Sequence, residues 1–446
     1  MKRFALFTLV ALMGLGMAGC VSAATPTPAA PPPTATQPAA PPPTAPAAAL
    51  KEVLIGAVYP LSGAAAPTGL DLKNGVELAI DIVNNKYPDL NLPLAKTEGL
   101  PNLGGAKLKV VFGDHQAVPE KGLSETERLI TSEKVVAVVG AYHSAVTATA
   151  SQAAERLKVP FLNPESTSPT LIQRDFKWFF RTTPDDEMFA ENFFQFLKDL
   201  EKTKNIKIKK VAILYENTLW GQDVNKFEDK YAKQYGYEVV SSIAYPAKTA
   251  EVTSEVQRLK ASGADILLQA SYVSDAILFM KTYKQLDYNP DALLAMDAGF
   301  IDSAFLKTLG NDGNYIFSRE VWALDLATRK PTVKTVNDMY KQRYGTDMNG
   351  NSARAFTGIL TLADAINRAG STEPEAIRKA LQETNLPGDQ LIMPWGGVKF
   401  DPKTGQNTLG RGIIVQVQAG AYYTVWPFDL ASKEIIWPMP KWSARP

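Results

Sequence analysis

Four hydroxyl side chains gather where they could do chemistry. Ser144 and Thr147 in AYHSAVT, and Ser166 and Thr167 in PESTSP, follow two neighbouring apolar runs. Three uses compete for them. A serine at a helix start can cap the amides of the first turn. The same amides, with the positive end of the helix dipole, attract a carboxylate. A serine beside a base can act as a nucleophile. The third use needs a partner, and the chain has two histidines, His115 and His143. His143 directly precedes Ser144, so the two side chains do not readily converge, and no GxSxG elbow occurs. Metal chemistry has no HExxH, CxxC or EF-hand spacing to rest on. FDPKTGQ (400–406) carries a lysine where an EF-hand places its second carboxylate, and it reads as a turn. LSGAAAPTG, after the first apolar run, lacks a P-loop lysine and GxGxxG, which argues against phosphate or dinucleotide binding. The expectation is therefore no enzyme, no metal and no cofactor. Capping and anion binding stay open for each hydroxyl loop, and two such loops facing one gap favour binding.

A second set of candidates is aromatic and acidic. Trp220 follows the apolar run 210–216, Tyr272 follows 264–270, and Asp297 ends 292–297. Aromatics inside helices, such as Trp178 and Phe194, are read as core. At strand ends beside a cleft, an aromatic can cover a small ligand.

The elements that must position these residues alternate strand and helix. Strands are read at 53–60, 108–114, 135–140 and 160–164, and helices at 69–85, 124–134 and 144–158. In the first helix Val76, Ile80 and Val83 share one face at helical spacing. The rhythm then repeats, with strands at 210–216, 238–245, 264–270 and 292–297 and helices at 220–236, 254–263 and 274–286. Such βαβ alternation predicts parallel sheets with helices on both faces. Two runs of it predict two doubly wound α/β lobes. Helical stretches at 331–345 and 353–370 precede late strands at 397–400, 411–420 and 422–428, so the chain must cross between lobes more than once. In open α/β sheets ligands sit beyond the carboxyl ends of the strands, where the candidate residues lie.

Composition limits the partners. With 47 Lys and Arg against 46 Asp and Glu, the net charge is +1; loss of Lys2 and Arg3 with a leader makes it −1. A nucleic-acid partner would want a clustered basic face. The one basic run, EKTKNIKIKK (201–210), has no interleaved aromatics and reads as a solvated connector. The chain opens MKRFALFTLVALMGLGMAGC, a short secretory signal rather than a spanning helix. Cys20 is the sole cysteine, which excludes an intramolecular disulfide, and its setting resembles a bacterial lipobox. Two acyl chains there would hold the protein at a membrane, since each buried methylene contributes ~0.8 kcal/mol. The Ala, Pro and Thr run that follows has almost nothing to bury and reads as a semi-extended tether.

Three stretches together resemble the type 1 periplasmic binding proteins of the leucine/isoleucine/valine-binding family. They are IGAVYPLSGAAAPTGLDLKNGVELAI, VVGAYHSAVTATASQAAERLKVPFLNPESTSPTL with FFRTTPDD, and VAILYENTLWGQD. The resemblance covers nearly all of 51–430. It implies a two-lobed Venus-flytrap fold joined by a multi-crossover hinge, with 51–182 and 321–410 in the first lobe and 183–320 and 411–440 in the second. A signal peptide at 1–19 and a lipidated tether at 20–50 precede them. The resemblance implies that Ser144, with His143 beside it, binds an amino-acid carboxylate aided by helix amides. It places further contacts at Glu165 (through its backbone), Ser166, Thr167 and Thr68, and aromatic ones at Trp220 and Tyr272. The family's acidic ammonium anchor aligns best with Ala298, one place after Asp297. Arg354 falls where amino-acid receptors carry an apolar contact; it reads either as a solvated helix residue or, if it faces the cleft, as the mark of an acidic or amide-bearing ligand. Function follows as an extracytoplasmic receptor, lipid-anchored and monomeric, that hands a small carboxylate ligand to an ABC permease and its ATPase. A sensory module for an amide, urea or small organic acid is the alternative. The segment 86–105 is longer than the compact family pattern needs.

Overall fold

The computed structural model describes residues 19–20, 22–26 and 50–445. The chain divides into two units, Met1–Ala48 and Ala49–Pro446. Nearly all of the leader and most of the tether lie outside the described residues; Cys20 is exposed with a free thiol. Among the described residues no helix is long and apolar enough to cross a membrane.

Within the second unit, the first sheet holds β1 (Glu52–Tyr59), β2 (Lys107–Asp114), β3 (Val138–Gly140), β4 (Phe161–Asn163) and β5 (Phe179–Arg181). Their order is β2-β1-β3-β4-β5, parallel throughout. Helices α1 (Ala66–Asn84), α2 (Pro119–Thr131) and α3 (Ser144–Leu157) connect them. The second sheet follows α4 (Asp186–Lys204). It takes in β6 (Lys210–Glu216), β7 (Glu238–Tyr245), β8 (Ile266–Ala270), β9 (Ala292–Ala295) and β10 (Phe317–Glu320), with α5 (Leu219–Tyr235), α6 (Thr253–Ser262), α7 (Val273–Gln285) and α8 (Ser303–Leu309) between. The chain then returns through α9 (Pro331–Tyr344), α10 (Gly350–Ala369) and α11 (Pro374–Gln382) to a hairpin of β11 (Asn385–Pro387) and β12 (Gly397–Lys399). It ends in β13 (Ile413–Gln418) and β14 (Ala421–Trp426), which join the second sheet antiparallel, giving β14-β13-β10-β9-β8-β6-β7.

Both sheets are buried on two faces, which is why their strands read as near-continuous apolar runs. Along β6 the side chains alternate between two cores. Val211 and Ile213 pack with α4 and α5 residues such as Phe193 and Val224; Ala212 and Leu214 pack with Leu259, Phe279 and Phe305. In the first sheet Ile55 and Ala57 share a core with Val76, Ile359 and Leu362 of α1 and α10, while Val58 joins Leu129, Val146 and Ala150 of α2 and α3. Two helices start before their sequence reading. Pro67 and Pro119 occupy first turns, where a proline's missing N–H is harmless and its φ suits the helix.

Three crossings join the sheets, and side chains lace two of them together. Arg181 Nε donates to Gln406 Oε1 at 2.6 Å, and Gln406 Nε2 donates to the Thr183 carbonyl at 2.8 Å. Asn407 Nδ2 donates to the Thr182 carbonyl at 3.0 Å. At the crossing after β10, the Glu320 carboxylate accepts the Val321 N–H at 2.5 Å. The segment 86–105 has a structural use: Leu90, Leu92 and Leu100 are buried in the first lobe's core, and Asn102 N–H donates to Asn367 Oδ1 of α10 at 2.9 Å.

Candidate ligand-binding site

The hydroxyl loops fold onto each other. Asn163, the last residue of β4, accepts the Glu165 and Ser166 amides on Oδ1 at 3.1 and 2.8 Å and donates from Nδ2 to the Ser166 carbonyl. This turn aims Ser166 at the neighbouring loop, where its Oγ donates to the Tyr142 carbonyl at 2.8 Å and lies 2.6 Å from Thr147 Oγ1. Thr147 in turn accepts the Ala141 N–H at 3.0 Å. Thr147 and Ser166 therefore tie the two loops together. The capping reading of Ser144 is overturned: α3 begins at Ser144 itself, His143 is the N-cap, and no side chain caps that end. Ser144 Oγ instead accepts the Ser168 N–H at 3.4 Å. Of the Glu165 backbone, implied by the resemblance as a ligand contact, the N–H is already bonded to Asn163.

Across the gap, the other lobe presents its aromatics. Trp220 stands in the first turn of α5, whose N-cap Thr218 accepts the Gly221 N–H at 3.4 Å. That turn presses on the end of β6 so closely that a Cβ on Gly221 would lie 1.9 Å from the Glu216 carbonyl oxygen; only glycine allows the approach. Tyr272, at the start of α7, has its ring centroid 4.8 Å from Trp220, 4.5 Å from His143 and 5.6 Å from Tyr142. The two lobes thus meet through aromatic rings.

Below the aromatics lies a buried charge cluster. Asp297 Oδ2 accepts from Arg319 Nη1 at 2.5 Å and from Arg354 Nη2, while Oδ1 accepts the Ala298 N–H. Glu320 Oε2 is 3.7 Å from Arg354 Nη2, and Asp186 Oδ1 is 3.6 Å from Arg319 Nη2. The Arg319 guanidinium also sits 3.8 Å from the Phe189 ring centroid. Burial, with the Asp297 charge added, pushes Glu320 up to about 7. Burial pushes Glu165 up to about 8, although the Tyr59 hydroxyl donates to its Oε1 at 2.8 Å. For Arg354 burial opposes the charge, but Asp297 and Glu320 more than offset it and its pKa is raised. Asp297 has φ of 56° and ψ of −126°, a sparsely populated conformation costing of order 1–3 kcal/mol.

Arg354 is 2% exposed, so its reading as a solvated helix residue is corrected. The N-terminal half of α10 is buried from Gly350 to Ala363, packed between α1 and the first sheet, and it has no solvent face. Thr68 donates to Asp302, Ser303 Oγ donates to Asp71 Oδ1 at 3.2 Å, and Ser168 and Thr170 donate to Asp223 Oδ2 at 2.5 and 2.9 Å. These bonds run between the sheets' loops, and the cleft is shut. The gap enclosed by Ser144, Thr167, Trp220, Tyr272, Asp297 and Arg354 measures about 20 Å³, room for a single water. Cavities of about 240 and 280 Å³ flank it, the first beside His143 and Glu216, the second beside Asp302, Glu320 and Trp322.

Several buried polar atoms here have no hydrogen-bond partner: the Tyr142 hydroxyl, His143 Nδ1, Glu165 Oε2 and Arg354 Nε. Buried polar groups are normally satisfied; Tyr142, Glu165 and Arg354 line the enclosed gap, and His143 the cavity beside it. His115 is fully used, with Nε2 2.9 Å from the Ala141 carbonyl and Nδ1 accepting the Ala117 N–H, and burial lowers its pKa to about 4. Among the described residues no group of three or more His, Cys, Asp or Glu is placed to hold a metal.

Sequence reasoning passed over Tyr142, Arg319, Glu320 and Asp302. For two of these a signal existed: IFSREVW places Arg319 and Glu320 inside an otherwise apolar run, where a charge needs a partner.

Comparison with known proteins accords with this architecture. A family model described as "Periplasmic binding protein" matches residues 52–421. The Leu/Ile/Val-binding protein homolog 8 of Brucella abortus (strain 2308) is 30% identical over 393 residues, 86% of this chain and 93% of that protein. The Leu/Ile/Val-binding protein homolog 7 of Brucella suis biovar 1 is 28% identical over 397 residues, 87% and 95% respectively. The crystal structure of the leucine-binding protein LivK from Thermotoga maritima matches with a TM-score of 0.71 at 20% identity, covering 83% of this chain and 97% of that one. The chain belongs to the type 1 periplasmic binding proteins of the branched-chain amino acid family, substrate-binding proteins that work outside the cytoplasm.

Proposed function

We propose that this protein is a receptor that captures a small carboxylate-bearing ligand, most simply an amino acid, and delivers it to an ABC-transporter permease by closing its cleft. One observation carries the reading: two interlocked hydroxyl loops of one lobe, with the N-terminus of α3 at Ser144, face an aromatic pair and a buried carboxylate of the other. Ser144 and Thr167, with His143 and Thr68 beside them, hold the carboxylate; Trp220 and Tyr272 cover the ligand; Asp297 receives its ammonium. Closure needs contacts with both lobes, because a ligand that bound open and closed states equally would shift nothing. The relatives' names, which specify leucine, isoleucine and valine, support an amino acid. In this reading the first lobe comprises 51–182 and 321–410, the second 183–320 and 411–440, and a lipid on Cys20 anchors the monomer at the membrane. Ser144→Ala should weaken binding of the carboxylate ligand by ~1–3 kcal/mol, as for a lost hydrogen bond to a charged group, without unfolding the protein. Calorimetric titration decides it, and an unaltered affinity sinks the assignment of Ser144.

A further inference from the structure

The bottom of the cleft carries two guanidinium groups, and one of them is in the way. Arg354 comes from α10, beside the first sheet, whereas Asp297 follows β9 and Arg319 lies in β10 of the second sheet. The Arg354–Asp297 pair therefore spans the lobes, and with about 20 Å³ beside it no amino acid enters without parting the two. Once parted, each charge needs a new partner in a buried place.

For Asp297 the ligand's ammonium serves, and Arg319 stays bonded to it at 2.5 Å. Arg354 is left with Glu320 at 3.7 Å and with Glu165 lining the same gap; burial disfavours the charged form of both carboxyls, and neither replaces the direct contact that Asp297 made. An uncompensated buried guanidinium is strongly unfavourable. The unpaired groups nearby ask for acceptors too: Arg354 Nε and the Tyr142 hydroxyl are buried donors without partners, and so is the Trp322 indole N–H lining the flanking cavity.

We propose that the ligand is an amino acid bearing a second acidic group in its side chain, whose carboxylate takes the place of Asp297 on the Arg354 guanidinium. The closed cleft then holds an Arg354–Asp297 pair that mimics its own ligand: Asp297 stands where the distal carboxylate goes, and Arg354 where the ammonium goes. An aliphatic side chain offers Arg354 nothing, and an amide offers one oxygen in place of a charged pair that matches the guanidinium fork. This inference rests on the carboxylate-receptor reading above and narrows its ligand.

The test is calorimetric titration of the full-length chain with L-glutamate, L-aspartate, L-glutamine and L-leucine. One of the two acidic amino acids should bind roughly 100-fold tighter than L-glutamine or L-leucine, the scale of truncating one partner of a buried charge pair. Arg354→Leu should erase that preference. L-leucine or L-glutamine binding as tightly as the better acidic amino acid overturns the proposal, and so does a preference that survives in Arg354→Leu. The wild-type comparison needs no variant to fold, and a melting curve establishes whether Arg354→Leu does. Binding of benzoate or glutarate but none of the four amino acids also overturns it, yet leaves the carboxylate reading standing; that reading falls separately if Ser144→Ala has no effect on whichever carboxylate binds.

Discussion

At the scale of the residue, Glu165 shows how position and environment divide the explanation. The family resemblance, carried in part by PESTSP, implied a backbone contact at Glu165. Its state depends on burial, which raises its pKa to about 8 against about 4.3 in an unfolded chain. The folded protein then holds a proton that the unfolded chain releases, so the stabilising contribution is fully present below about pH 4.3 and is lost as pH rises towards 8. Glu165→Gln keeps an acceptor for the Tyr59 hydroxyl but cannot titrate. Its stability, followed by urea unfolding at intervals from pH 5 to 8, should fall less steeply than that of the parent, by up to ~1.4 kcal/mol per pH unit; parallel curves would contradict the assignment. That Ser144, Thr167, Trp220 and Tyr272 would line one gap was legible, because loops after parallel strands are few and their side chains stand out there. Arg319 and Glu320 stood out only as charges in an apolar run; their partners were not legible, because Asp297 lies 22 residues before Arg319 and Arg354 lies 34 residues after Glu320.

At the scale of the element, α10 is what places Arg354. It packs along α1, where a Cβ on Gly75 would meet the Ser352 carbonyl oxygen at 2.3 Å. Asn349 opens it with a capping box, accepting the Ser352 N–H at 3.0 Å, and also donates to Asp71 of α1 at 2.6 Å. Gly75→Val forces the helices apart and should destabilise the protein by ~1–3 kcal/mol, the usual penalty of overpacking, read as a lower urea midpoint. Since Arg354 rides on α10, ligand affinity should drop as well, whereas a change at Gly236, whose Cβ direction is open, should leave affinity as it was. The alternation of apolar runs made the helices visible beforehand, but not that α10 would be sealed on all sides in its first half.

At the scale of the whole molecule, the cleft is shut by contacts that need no ligand. On one edge Thr68 and Asp71 meet Asp302 and Ser303; on the other Ser168 and Thr170 meet Asp223. Buried carboxylates bear on closure, since Asp71 is pushed to about 7 by burial and then by Asp302. Asp223→Ala removes one clasp without touching the enclosed gap. The unliganded protein should then spend more time open, which small-angle scattering reads as a larger radius of gyration, while the liganded form keeps its size. Apparent affinity should weaken a few-fold, in proportion to the lost closed fraction.

What the sequence determined by itself is the architecture. Strand and helix periods, the turns between them and the resemblance in three separated stretches pointed to two parallel α/β lobes with loops facing one cleft, because such patterns are local and repeat. It also showed which loops carry hydroxyls and aromatics. Only the tertiary structure decided how those side chains are spent. Thr147 and Ser166 bind each other rather than solvent, Ser144 reaches across to Ser168 rather than capping its helix, and Asp297 is claimed by two arginines. Each outcome depends on distances between residues far apart in the chain, and on burial that changes what a charge costs, which no spacing along the sequence records.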